Sequence, residues 1–163
     1  MGSQVEEVLA QAKKVKIPAS YKKINNLVVL GIGGSALGAH LIKSVFLKNL
    51  HIPVEIINGY EASGFVNEKS LVIASSYSGS TEEVVNAVAD AKKKMAKVLV
   101  ICSGGKLADF AKQNKIPALI FTTNNNPCGS PRMGLGYSIF GQIALLASVG
   151  VVKFSSAEVK NCL

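Results

Sequence analysis

The sequence predicts an α/β domain with a doubly wound, five-stranded parallel sheet flanked by helices, and two features of it carry that prediction. Short, wholly apolar runs recur along the chain, and most break into a glycine- or serine-rich turn that leads into a segment of helical period. The runs do not alternate apolar with polar residues, so they read as strands covered on both faces, as a parallel sheet requires.

In order, Val5 to Lys16 places Val5, Val8, Leu9, Ala12 and Val15 at helical spacing, and Pro18 ends that helix. Leu27 to Leu30 (LVVL) is the first strand; it runs into GIGGSALG, Gly31 to Gly38, and an amphipathic helix through about Leu47. Val54 to Ile57 is a strand that ends at Asn58-Gly59. Leu71 to Ala74 (LVIA) is a strand that breaks into SSYSGST, Ser75 to Thr81, and a helix to about Met95. Val98 to Cys102 is followed by Ser103-Gly104-Gly105 and a helix to Gln113, and Ala118 to Phe121 is the last strand. A loop containing NNNPCGSPRMG leads to a final helix, about Gly134 to Val149. Nothing divides the chain, so residues 1–163 read as one domain: a helical lead-in over 1–20 and a core over 27–150.

Composition narrows the function classes. With 48% apolar residues, 17% charged residues and a mean hydropathy of +0.32, the chain is too apolar for disorder. That surplus of apolar surface calls for a partner domain or subunit, a dimer being the simplest case. The formal charge is +8, yet the 18 basic residues include a single arginine, Arg132. Lysines on predicted helices and loops, without interleaved aromatics, do not make a base-reading surface, so nucleic acid is not expected. Cys102, Cys128 and Cys162 show no C-x-x-C spacing, which argues for a reducing compartment and against a metal site. No signal peptide is evident, and Tyr137 to Val152 contains Gln142 and is too short to span a bilayer comfortably. The chain reads as soluble and cytoplasmic.

Ligands of an open parallel sheet bind beyond the carboxyl ends of its strands. Two turns at that edge suit an anion. Gly31-Ile32-Gly33-Gly34-Ser35 exposes backbone N–H groups, and Ser76 to Thr81 brings hydroxyls to the start of a helix. Each has a plainer explanation. Gly31-x-Gly33-x-x-Ala36 also fits a dinucleotide fingerprint, although the second strand closes on Asn58 where that reading wants an acid. Ser80-x-x-Glu83 is a capping box that could simply start a helix. Both turns together favour a phosphate monoester.

GIGGSALGAHLI, ASSYSGSTEEVVNAV, ICSGGKLADFAK and PRMGLGYSIF, in this order, resemble the N-terminal sugar isomerase (SIS) domain of bifunctional phosphoglucose/phosphomannose isomerases. The resemblance covers Leu27 to Gly150. The serine turn is shared widely among SIS proteins, whereas GIGGS combined with PR-x-x-LGYS is particular to this family. It implies a flavodoxin-like or Rossmann-like fold and conversion of glucose 6-phosphate and mannose 6-phosphate to fructose 6-phosphate without a cofactor. It implies that Gly34, Ser35, Ser76, Ser78 and Thr81 hold the phosphate. Ser80 stands where the family commonly has Asn. It also implies that Arg132 stabilises the enediolate, a role for which a fixed guanidinium is suited; a structural role tying down the Asn-rich loop is the alternative.

The base is harder to find. Glu82 and Glu83 occupy a helix first turn; Glu6, Glu7, Asp90, Asp109 and Glu158 read as solvated faces or a tail; His40 and His51 read as structural. In the family a second SIS domain supplies a base glutamate, so such a domain is expected downstream, and this chain alone is expected to be inactive. The nearly all-round apolar 134–149 helix is the expected packing face for that domain or for a second subunit. A free-standing hexulose-phosphate isomerase, using His40 or Glu61, a phosphosugar sensor without catalysis and a dinucleotide module are the competing readings.

Overall fold

The structure, a computed structural model, describes residues 1–154; Glu158 and Cys162 lie outside the described residues. Its elements are α1 (Gly2–Ala12), β1 (Asn26–Leu30), α2 (Gly34–Val45), β2 (Val54–Ile57), β3 (Ser70–Ser75), α3 (Glu82–Lys93), β4 (Lys97–Cys102), α4 (Gly105–Gln113), β5 (Ala118–Ile120) and α5 (Leu135–Ser148). Short 3-10 turns over Ala19–Lys22 and Pro131–Met133 were not anticipated from the sequence. The first helix starts and ends a turn earlier than its apolar period predicts.

The five strands form one parallel sheet, as the sequence predicts, and the structure sets their order as β2-β1-β3-β4-β5. The apolar runs are covered on both faces. Leu27, Val29, Leu71, Ile73, Leu99 and Ile101 point into a core with α1, α2 and α5, while Val28, Leu30, Val72, Ala74, Val98 and Val100 point into a second core under α3 and α4. The chain turns back on itself beside β1: β2 is added on one flank, β3 on the other. Leu30 is in register with Ile57 on one side and Ala74 on the other, so Gly31 and Ser75 leave the sheet as neighbours.

The apolar girth of α5 is taken up inside the chain, by α1 along one flank, α2 along the other, and the sheet beneath. Tyr137, Leu145 and Leu146 are fully buried there. The sequence expected this helix to face a partner. Instead, the apolar side left open in the described residues belongs to α2, whose Leu37, Leu41 and Val45 are 39%, 39% and 72% exposed. They recur every fourth residue and so form one stripe. No helix among the described residues is long and apolar enough to cross a membrane.

Candidate functional site

The reversal of strand order between β1 and β3 opens the crevice at which open α/β sheets take ligands. The glycine turn enters it from β1. Gly33 is the N-cap of α2 with φ 57° and ψ −125°, a backbone region that a side chain excludes, and a Cβ there would meet nothing within 4 Å. The glycine is therefore demanded by conformation, and the space beside it is open. Among the described residues the N–H groups of Ile32, Gly33 and Gly34 take no backbone partner, the condition for an anion cradle at a helix start.

The serine turn enters from β3. Ser76 Oγ lies 2.8 Å from Thr81 Oγ1 and accepts the Gly79 N–H at 3.1 Å, while Ser78 Oγ accepts the Ser80 N–H at 3.2 Å. The N-cap of α3 is Thr81, without a side-chain cap bond, so the Ser80–Glu83 capping box is not formed. The Thr81 hydroxyl faces Ser76 instead, closing the turn on itself. Ser76 and Ser35 are buried, Thr81 is partly exposed, and Ser78 is open to solvent. From behind, the β4–α4 turn braces the loop: Ser103 donates from its N–H (2.9 Å) and Oγ (2.7 Å) to the Tyr77 carbonyl, and the Leu107 N–H donates to the Gly79 carbonyl at 2.8 Å.

The two turns are bonded to each other. Ser35 Oγ accepts the Tyr77 N–H at 3.1 Å. Gln142 of α5, fully buried, donates from Nε2 to the Ser35 carbonyl at 2.7 Å and to Ser75 Oγ at 3.1 Å. Among the described residues its Oε1 has no partner, an omission that costs about 1–3 kcal/mol for a buried polar atom.

Arg132 arrives on the third segment. It is exposed, sits in the Pro131–Met133 turn and lines an open cleft of about 560 Å³ with Gln4, Asn125, Asn126, Cys128 and Leu135. This segment packs on both turns: a Cβ on Gly34 would lie 3.3 Å from Leu135 and 3.9 Å from the Pro131 carbonyl oxygen, and one on Gly134 would lie 2.2 Å from the Tyr77 ring. Among the described residues no carboxylate pairs with Arg132.

What holds the Arg132 segment is α1, which the sequence reading treated as a lead-in helix. Gln4 Nε2 donates to the carbonyls of Met133 (2.8 Å) and Asn125 (3.1 Å), and its Oε1 accepts the Gly136 N–H at 3.2 Å, standing in as a cap for α5. Glu7 is not a solvated carboxylate. It accepts from the hydroxyls of Thr122 and Tyr137 and from Asn125 Nδ2 at 2.8 Å. Asn126 Nδ2 donates to Tyr77 Oη at 2.6 Å, joining the loop to the serine turn. Tyr77, Phe121 and Tyr137 pack beneath, with Phe121 and Tyr137 stacked at 4.9 Å.

Partial burial opposes the charge on Glu7, but hydrogen bonds from Thr122, Tyr137 and Asn125 outweigh it and hold the carboxyl below its ordinary value. Burial, aided by the bond to Glu7, pushes the Tyr137 phenol up to about 12. A carboxyl lowered in the folded state stabilises at pH above its unfolded value, and that contribution disappears as pH falls through the folded value. Thermal unfolding followed from about pH 7 to about pH 3 is therefore expected to show a smaller acid loss in Glu7→Gln than in wild type. Parallel profiles would mean that the carboxylate does not hold the loop.

The other titratable candidates lie elsewhere. His40, His51 and Glu61 are exposed. Glu55 accepts from Ser63 Oγ at 3.0 Å, and Asp90 pairs with Lys94 at 2.8 Å and accepts the Ala62 N–H, pinning the loop after β2. Cys102 is buried, its thiol pushed up to about 11 by desolvation, whereas Cys128 is exposed in the loop. No group of three or more His, Cys, Asp or Glu among the described residues could hold a metal ion. Gln142, Gln4 and Glu7 escaped the sequence reading. A lone glutamine within an otherwise apolar helix was the one signal available.

Fold and crevice together define a class. The SIS domain family model matches residues 20–116, and the chain belongs to that family. Within it, the chain is similar to the bifunctional phosphoglucose/phosphomannose isomerase of Caldicellulosiruptor bescii, 36% identical over 151 residues, which are 92% of this chain and 43% of that enzyme. The enzyme of the same name from Thermoplasma volcanium is 34% identical over 135 residues, 81% of this chain and 40% of its own length. The chain thus spans less than half of these relatives. Among solved structures, the Vibrio vulnificus NanR protein complexed with ManNAc-6P shares the fold, with a TM-score of 0.60 at 17% identity over 98% of this chain and 63% of that one.

Proposed function

We propose that the chain is the phosphosugar-binding half of an aldose–ketose isomerase that interconverts glucose 6-phosphate and mannose 6-phosphate with fructose 6-phosphate. One observation carries the reading: the glycine turn, the serine turn and the Arg132 segment, far apart in sequence, pack on one another where the strand order reverses. The phosphate sits between the starts of α2 and α3, where two helix dipoles and unpaired N–H groups favour negative charge. Gly34, Ser78 and Thr81 supply donors on the open side; Ser35 and Ser76, buried behind them, keep the turns in shape.

The sugar then reaches toward Arg132. Moving a proton between C1 and C2 leaves negative charge on oxygen in the enediolate, and a positioned guanidinium acts most strongly where that charge develops. The reaction is a proton transfer and calls for no cofactor. The base comes from a second SIS-type domain or subunit. The greater length of the curated relatives supports this, as does the open Leu37–Leu41–Val45 stripe of α2, which such a partner would cover. A hexose phosphate substrate is in keeping with a cytoplasmic protein.

Calorimetric titration with glucose 6-phosphate, fructose 6-phosphate, unphosphorylated glucose and NADH, alongside an isomerase assay, tests the reading. Binding of the sugar phosphates alone, without turnover, is the expected result. Turnover would transfer the base to this chain and favour a free-standing isomerase. Binding of NADH alone would return the glycine turn to the dinucleotide class. Ser78→Ala combined with Thr81→Ala is expected to weaken fructose 6-phosphate by tenfold or more, since a hydrogen bond to a charged group contributes about 1.5–3 kcal/mol. Unchanged affinity would sink the phosphate assignment. The likeness to a phosphosugar-bound NanR favours a second reading, a sensor without catalysis. Turnover after a partner domain is supplied separates the two.

A further inference from the structure

Gln142 sits where packing alone calls for an apolar residue. It is fully buried on α5, whose neighbouring turns contribute Leu145 and Leu146 to the core, and among the described residues its Oε1 faces no donor. An apolar side chain of the same length would fill the space and remove the orphan acceptor, at the cost of taking from the buried Ser75 hydroxyl the amide it pairs with. The exchange trades one unsatisfied group for another, and stability by itself gives no reason for a glutamine here. What the amide does accomplish is geometric. Its Nε2 reaches the carbonyl of Ser35, in the first turn of α2, and the hydroxyl of Ser75, the last residue of β3 before the serine turn. One donor group therefore spans the gap between the two turns. The facing helix accommodates it: a Cβ on Gly38 would come within 2.9 Å of Nε2, so α2 has a notch where Gln142 enters.

We infer that Gln142 is a positioning residue that sets the spacing between the glycine and serine turns, and through it the affinity for a phosphate group. Ser75 is its second anchor and Gly38 the clearance it requires. This rests on the reading of the two turns as a phosphate site. A side chain that merely fills the core would influence stability and leave affinity alone; a positioning side chain separates the two.

The test uses the full chain in three forms: wild type, Gln142→Met and Ser75→Ala. Each is titrated with fructose 6-phosphate and with inorganic phosphate, and each is melted. Gln142→Met is expected to melt close to the wild-type temperature, the orphaned Ser75 hydroxyl offsetting the loss of the orphaned amide oxygen, while binding both ligands at least tenfold more weakly. Ser75→Ala, which removes one of the two anchors, is expected to fall between. Affinity within twofold of wild type in a folded Gln142→Met would overturn the inference and leave the phosphate site standing. If Gln142→Met does not fold, Ser75→Ala decides, and unchanged affinity there overturns it. A wild-type chain that binds neither ligand would overturn the phosphate reading and this inference with it.

Discussion

Replacing Gly79 with alanine is expected to lower the melting temperature by roughly 6–12 °C and to abolish measurable binding of hexose phosphates. Two separate penalties meet at this position. The backbone has φ 71°, where a side chain costs about 1–2 kcal/mol. The new Cβ would also lie 1.8 Å from the Gly104 carbonyl oxygen, a backbone atom with no rotamer to escape into. Relieving such overpacking costs about 1–3 kcal/mol more. The sum is about 3 kcal/mol, and each kcal/mol corresponds to about 2–4 °C in a domain of this size. Relief requires the serine turn and the β4–α4 turn to separate, which pulls at the Leu107–Gly79 hydrogen bond and opens the serine turn. Gly104→Ala is the control: its φ of 161° is extended backbone and its added Cβ meets nothing within 4 Å. Thermal unfolding by circular dichroism checks both. Equal melting temperatures for Gly79→Ala and Gly104→Ala would show that the two turns are not locked together.

Arg132→Ala is expected to leave fructose 6-phosphate affinity within about twofold, and to weaken a five-carbon aldonate phosphate by about 10- to 100-fold. The aldonate carboxylate puts negative charge where the enediolate would carry it, so it reports on transition-state stabilisation without requiring turnover. The size follows from the loss of a charge-assisted hydrogen bond, about 1.5–3 kcal/mol. Arg132→Lys is expected to restore little, because an ammonium cannot reproduce the planar fork. Parallel loss of both ligands would make Arg132 a residue for binding or folding, and equal affinity for both ligands in wild type would remove it from the chemistry. In the isomerising assembly, kcat should fall at least as far as aldonate affinity.

The turns were legible as candidates because each joins an unmistakable strand to a helix and carries residue types that act through the local backbone. Glycine at Gly33 and hydroxyls at Ser78 and Thr81 have their chemical meaning within a few residues. Arg132 was legible for a different reason, as the lone arginine in a motif of known resemblance. Glu7 was misread as a solvated carboxylate because a sequence shows only its place on an amphipathic helix. Its partners Thr122, Asn125 and Tyr137 are more than a hundred residues away. The same distance hid Gln4, whose amide holds Met133 and Gly136. The all-round apolar α5 was read as a partner face, when two helices of the same chain enclose it.

Local periodicity was sufficient for the elements and the parallel sheet, and turn chemistry for naming the candidate turns at its edge, because strand burial and turn chemistry are properties of neighbouring residues. Strand order, the pairing of the two turns through Ser35 and Gln142, and the hold of α1 on the Arg132 segment came from packing. Those contacts join residues remote along the chain, and their energies exist only once the core between α1, α2 and α5 has closed.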